Sequence, residues 1–175
     1  MRVEKLTDIK KELRLLNSEA LTEICLRLAK YKKENKELLS YLLYNADDPL
    51  NYAEEVKSSL IINFQNLNRT PYTSTKELRK ITRLLAKHAK YTGSKEVELE
   101  LLLWFCANFL EYSDPYSYHK PLLTLFNRQM EKIKRILPKL HEDLQFDYGT
   151  DYQNMIDAAH GKVRYFNKFE FELKD

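Results

Sequence analysis

The sequence predicts an all-α protein, and three observations carry that prediction. The chain has 3 Gly and 5 Pro in 175 residues, too few for the turns that β-hairpins require. Leu, Lys and Glu dominate, and all three are good helix formers. Apolar residues recur three and four positions apart through most of the length. A hydrophobic content of 43% with 31% charged residues suits a folded domain and is too apolar for a disordered one. At this length a single continuous core is expected over residues 1–161 without metal or disulfide staples.

Leu6, Ile9, Leu13 and Leu16 define a first helix over about Val3–Leu16. Asn17-Ser18-Glu19 reads as a stop and a new N-cap, after which Leu21, Ile24, Cys25 and Leu28 point inward. A polar break at Lys32–Asn35 precedes a third helix with Leu38, Leu39, Leu42 and Leu43. Asp47-Asp48-Pro49 is a start signal, with acidic residues at the positive helix end and proline in the first turn. The fourth helix carries Tyr52, Val56, Leu60 and Phe64. Ser74 or Thr75 is expected to cap the fifth, which stops at Tyr91-Thr-Gly93. Ser94 caps the sixth, about Lys95–Tyr112. A seventh runs from Pro121 to about His141, bent or cut by Pro138, and a shorter eighth covers about Tyr152–Ala159. Val163 to Leu173 nearly alternates apolar and polar residues, the period of a strand, so residues 162–175 are expected to form an extended tail. Such a tail would pack on its own helices or pair with a second copy.

Leu21, Ile24, Leu28, Ala29 and Lys30 recur as Leu78, Ile81, Leu85, Ala86 and Lys87. After a two-residue insertion, Lys36-Glu37 recurs as Lys95-Glu96. Both blocks read helix, break, helix, so the expected architecture is seven or eight helices in stacked αα-hairpins, a short HEAT/armadillo-like solenoid or an irregular bundle. The block Leu21–Leu43, centred on Leu-Ala-Lys-Tyr-Lys-Lys-Glu-Asn-Lys-Glu-Leu-Leu, and the Leu140–Tyr148 segment resemble a family of small bacterial all-helical proteins with no assigned activity. The resemblance implies a bacterial cytoplasmic setting and an all-helical fold, and it transfers no functional residues.

Several chemistries lose their usual signatures. No GxxxxGK[ST], GxGxxG or GxSxG occurs, so neither a phosphate cradle nor a nucleophile elbow is indicated. His88, His119, His141 and His160 are far apart and match no zinc spacing. Asp147 and Asp151, beside His141-Glu142-Asp143, come nearest to a ligand cluster, but acidic residues before a helix start are expected for capping alone. Cys25 and Cys106 lie among apolar neighbours and read as buried free thiols. No catalytic residue, metal or cofactor is assigned, and an enzyme is the less favoured class. The charged start has no apolar leader region, and the run Leu101–Ala107 is far short of the ~18–20 residues of a membrane span.

The informative feature is charge. Lys76, Arg79, Lys80, Arg83, Lys87 and Lys90 fall within about a third of the circumference of the fifth helix. Arg128, Lys132, Arg135 and Lys139 do the same on the seventh. Residues 74–91 carry six basic and one acidic side chain, as do residues 120–141, so each stretch is +5. The whole chain is +3, which leaves −7 for the rest. Solvation alone would favour mixed signs, which gain i,i+4 pairing. One-sign faces point to an acidic partner: foremost another protein in a scaffold or interaction role, alternatively a nucleic-acid phosphate backbone.

Overall fold

The computed structural model describes residues 3–173, and those residues form helices and no strand. They fall into two compact units, the first ending at Asp47 and the second beginning at Asp48.

The first unit holds α1 (Leu6–Leu15), α2 (Ser18–Tyr31) and α3 (Lys33–Tyr44). The Asn17 side chain caps α2 by accepting from the Ala20 N–H at 2.8 Å. The break before α3 is shorter than the sequence suggests: extended Lys32 suffices, and Asn35 Nδ2 donates back to the Leu28 carbonyl at 2.8 Å. α2 packs along α3, yet Tyr41 is the one fully buried residue among those described in this unit. Cys25 is exposed, and Leu28 and Leu42 retain 56% and 55% of their surface. The inward assignment of Cys25 and Leu28 is therefore corrected. A helical hairpin supplies each apolar stripe with a single neighbour, so these side chains line an apolar cleft between α2 and α3 that stays open to solvent.

The second unit is built around α6 (Lys95–Tyr112), which is apolar on nearly all sides and buries Leu99, Phe105, Cys106 and Phe109 completely. Ser94 caps it, as read from the sequence, by accepting from the Val97 N–H. Four helices flank it: α4 (Pro49–Gln65), α5 (Pro71–Thr92), α7 (Lys120–Ile136) and α8 (Glu142–Lys162). α4 packs on α5 and α5 on α7, while α8 joins α7 through a 3-10 turn at Leu137–Lys139 and a short helix α9 (Lys168–Phe171). Pro138 sits in that turn, where its missing N–H ends α7.

Gly93 terminates α5 in the left-handed region at φ 64°, its N–H donating to the Ala89 carbonyl. No atom crowds a Cβ built there, so only the backbone conformation resists substitution. Gly93→Ala should cost about 1 kcal/mol in equilibrium unfolding, the ordinary penalty of placing an L side chain in that region.

Three expectations fail locally. α5 starts at Pro71 with Thr70 as N-cap, so Ser74 and Thr75 are not caps. Both are buried in the second turn, and both hydroxyls donate to the Pro71 carbonyl, at 3.1 and 2.6 Å. α8 runs from Glu142 to Lys162, through Gly149, far beyond the expected Tyr152–Ala159. An interior glycine costs about 1 kcal/mol. Buried Tyr152, Ile156 and Ala159 and the half-buried Tyr148 on one face offset it. The alternating segment after Lys162 forms no strand. Tyr165 turns the chain at φ 58°, and Phe166 and Phe171 enter the core with their rings stacked at 4.8 Å. Tyr152 Oη donates to the Phe171 carbonyl at 2.9 Å and Lys134 Nζ to that of Glu170 at 2.7 Å, so the segment is fastened to its own unit.

Candidate basic surface and its surroundings

Amphipathicity fixes where the cations of α5 and α7 go. Leu78, Ile81, Leu85 and Ala89 of α5 and Leu122, Phe126, Met130 and Ile133 of α7 are drawn into the core, which turns the basic residues outward. Lys76, Arg79, Lys80, Arg83, Lys90, Arg128 and Arg135 are exposed, and Lys87 and Lys132 are intermediate; Lys139, expected on the same helix as Arg128, is exposed but lies in the 3-10 turn beyond the end of α7. α5 and α7 pack side by side, and the residues that open each helix line one cleft, so the two helices start at the same end. A shallow cleft marks their junction, lined by Thr82 and Ala86 of α5, by Gln129 and Lys132 of α7, and by Glu98 of α6. Lys132 therefore stands at the seam, and the two predicted faces adjoin across it.

Among the described residues, the ion pairs found at 4 Å or less involve none of Lys76, Arg79, Lys80, Arg83, Lys90, Arg128, Lys132, Arg135 or Lys139. Arg83 and Arg135 instead donate through Nε to the carbonyls of Arg79 and Glu131, one turn back on their own helices. Those contacts leave the guanidinium charges uncompensated.

At the end where α5 and α7 begin, the fold gathers aromatic side chains. The Arg164 guanidinium lies 3.5 Å from the ring centroid of Tyr118 and 4.3 Å from that of Tyr116, and its Nε donates to the Tyr116 carbonyl at 2.8 Å. Tyr72 stands edge-on to His119 at 6.3 Å. Tyr72, Tyr116, Tyr118 and Tyr165 are all largely exposed. No linear motif announces this group, because it joins the loop before α7, the start of α5 and the turn after α8. The one available signal was tyrosine density in Tyr116-Ser-Tyr118.

The other flank of α6 is acidic. Lys57 of α4 is 8% exposed and bonds the carboxylates of Glu54, at 2.7 Å, and Glu100. Burial alone would lower its pKa, but the bonds and charges of Glu100 and Glu54 prevail and raise it. Tyr148 is pushed up by burial first and then by the Glu100 and Glu96 carboxylates. Asp147 and Asp151 are exposed on α8, and among the described residues no three His, Cys, Asp or Glu side chains converge to hold a metal ion.

No family model, curated protein or solved structure matches this chain. Its functional reading therefore rests on its own geometry. No helix among the described residues is long and apolar enough to cross a membrane.

Proposed function

We propose that this protein is a non-catalytic interaction module that docks an acidic partner protein on the joined basic faces of α5 and α7. The observation that carries this reading is that Lys76, Arg79, Lys80, Arg83 and Lys90 of α5 and Arg128, Lys132 and Arg135 of α7 lie on adjacent helices and, among the described residues, join none of the ion pairs found at 4 Å or less. Self-repulsion of that kind costs a few tenths of a kcal/mol per neighbouring pair, a cost an acidic partner relieves. The αα pairs read as a short HEAT/armadillo-like stack. Direct packing of α5 on α7, with the intervening α6 behind both, supports it, since such stacks present alternate helices on one surface.

The test is capture from bacterial lysate, with and without nuclease, at low and moderate salt. Changing Arg79, Arg83, Arg128 and Arg135 together to Glu should abolish capture while helical circular dichroism stays unchanged. Undiminished capture by that variant refutes the role of these faces.

One observation favours a second reading, single-stranded nucleic acid. The exposed tyrosines and Arg164 sit at the end of the basic surface, where bases could stack while phosphates follow α5 and α7, and such stacking is worth about 1–3 kcal/mol per base. Nuclease-sensitive capture with a steep salt dependence, lost in Tyr116→Ala and Tyr118→Ala variants, would select this reading over an acidic protein.

A further inference from the structure

Within the second unit, the helices around α6 do not close into a ring. Going round it, α4 packs on α5, α5 on α7, and α7 meets α8 through the 3-10 turn and α9, but no comparable packing joins α8 back to α4. The gap exposes a groove on α6, opposite the α5–α7 pair. Its floor is Leu103, Trp104, Ala107 and Leu110 of α6, and its far wall includes Met155 and Ala158 of α8. Buried Leu103 and Leu110 anchor the floor, while Ala107 and Ala158 are exposed. Two small residues facing each other across the groove let a helix backbone approach to the usual 8–10 Å. Trp104 is held edge-on by Phe64 at 5.3 Å, and Met155 is an adaptable contact. Glu100 and Glu111 mark the two ends, eleven residues or about 16 Å apart along α6, three turns of a helix.

The walls specify the sign of what fits. Of the charged side chains that line the groove, three are acidic (Glu100, Glu111 and Asp151) and two basic (Lys57 and Lys162). Lys57, at one end, is already neutralised by Glu54 and Glu100, which leaves Lys162 as the one further cation there.

We infer that the α4–α6–α8 groove is a docking site for a partner's amphipathic helix whose flanks are basic. The apolar stripe of that helix covers Trp104, Ala107 and Ala158, and its Lys or Arg residues meet Asp151, Glu100 and Glu111. This is the helix-in-groove mode of recognition. It is independent of the basic surface, and together the two give the molecule opposite-charge docking faces.

Trp104 is the single tryptophan of the chain, so its fluorescence reports the groove directly. The full-length protein is titrated with two synthetic helical peptides of about 18 residues, long enough to be helix-forming. They share one Leu stripe and differ in Lys or Glu flanks. The Lys peptide should shift the emission to the blue and bind at least about tenfold more tightly than the Glu peptide at low salt, the advantage shrinking as salt is added. Ala107→Arg and Ala158→Arg each fill the groove from a different helix and place a cation where the partner's cations would dock, and each should abolish the shift. The Arg79, Arg83, Arg128 and Arg135 to Glu variant should keep it, which separates failure here from failure of the basic surface. Equal binding of both peptides, no shift with either, or binding that survives both alanine substitutions overturns the proposal. A concentration-dependent shift without peptide also overturns it, assigning the groove to a second copy of the chain.

Discussion

The Phe109→Ala protein is expected to lose about 3–5 kcal/mol of stability in denaturant unfolding, a large share of the roughly 5–15 kcal/mol that a folded domain commands. Phe109 has no exposed surface and lies on the helix that every other long helix of its unit touches. Its ring sits 4.9 Å from Phe126 of α7 and 6.3 Å from Phe105 one turn back. Phe126 in turn contacts Phe166, and Phe166 stacks on Phe171, so a continuous aromatic file ties α6 and α7 to the end of the chain. Removing one member leaves a cavity that helices on several sides cannot all close. A midpoint shift of under 1 kcal/mol would mean that α6 is not the organising element.

Alkali should unfold the protein more steeply than acid. Cys106 and Tyr152 are buried and neutral when protonated, and burial raises both pKa values above the ordinary 9.0 and 10.0. Their contribution is complete below pH 9.0 and is lost as pH rises, because the unfolded chain releases protons that the folded one keeps. Each such group steepens the loss by about 1.4 kcal/mol per pH unit, so the pair should cost about 3 kcal/mol per unit above pH 10. Lys57 adds in the same direction. Its folded pKa is raised above 10.5, and the bonds that hold it need the ammonium form. Tyr152→Phe removes one of these protons and should halve the slope due to the pair, at the cost of the hydrogen bond to the Phe171 carbonyl. Stability that stays level from pH 8 to pH 11 would contradict the burial of both groups.

The sequence made the helices legible wherever a cap and a stripe coincided. Asp48-Pro49, Gly93 and Ser94 mark true boundaries, and Val56, Leu60 and Phe64 are buried as their spacing implies. It misled where local signals outweighed packing. The eighth helix is expected only from about Tyr152, yet α8 begins at Glu142 and carries Gly149 inside it, and the hydroxyls of Ser74 and Thr75 imitate a cap while bonding within the helix. The end of the chain alternates like a strand, yet residues 163, 166 and 171 are the ones it buries, because the left-handed Tyr165 resets the phase. Of the candidate surfaces, the basic stripes could be read from helical periodicity alone. Neither the Arg164–tyrosine group nor the groove beside Trp104 could be, because each is assembled from elements distant in sequence.

The segregation of charge across α6 has a kinetic meaning. A unit with cations along one pair of helices and carboxylates on the opposite flank carries a permanent dipole, which the chain's net +3 does not convey. In the field of a charged macromolecule it experiences a torque as well as a pull, and rotates before it collides. An acidic surface would meet the α5–α7 side first and a basic one the Trp104 side. Orientation, usually the slow search in protein encounter, would then be settled within about a Debye length of contact, some 8–10 Å at ordinary ionic strength.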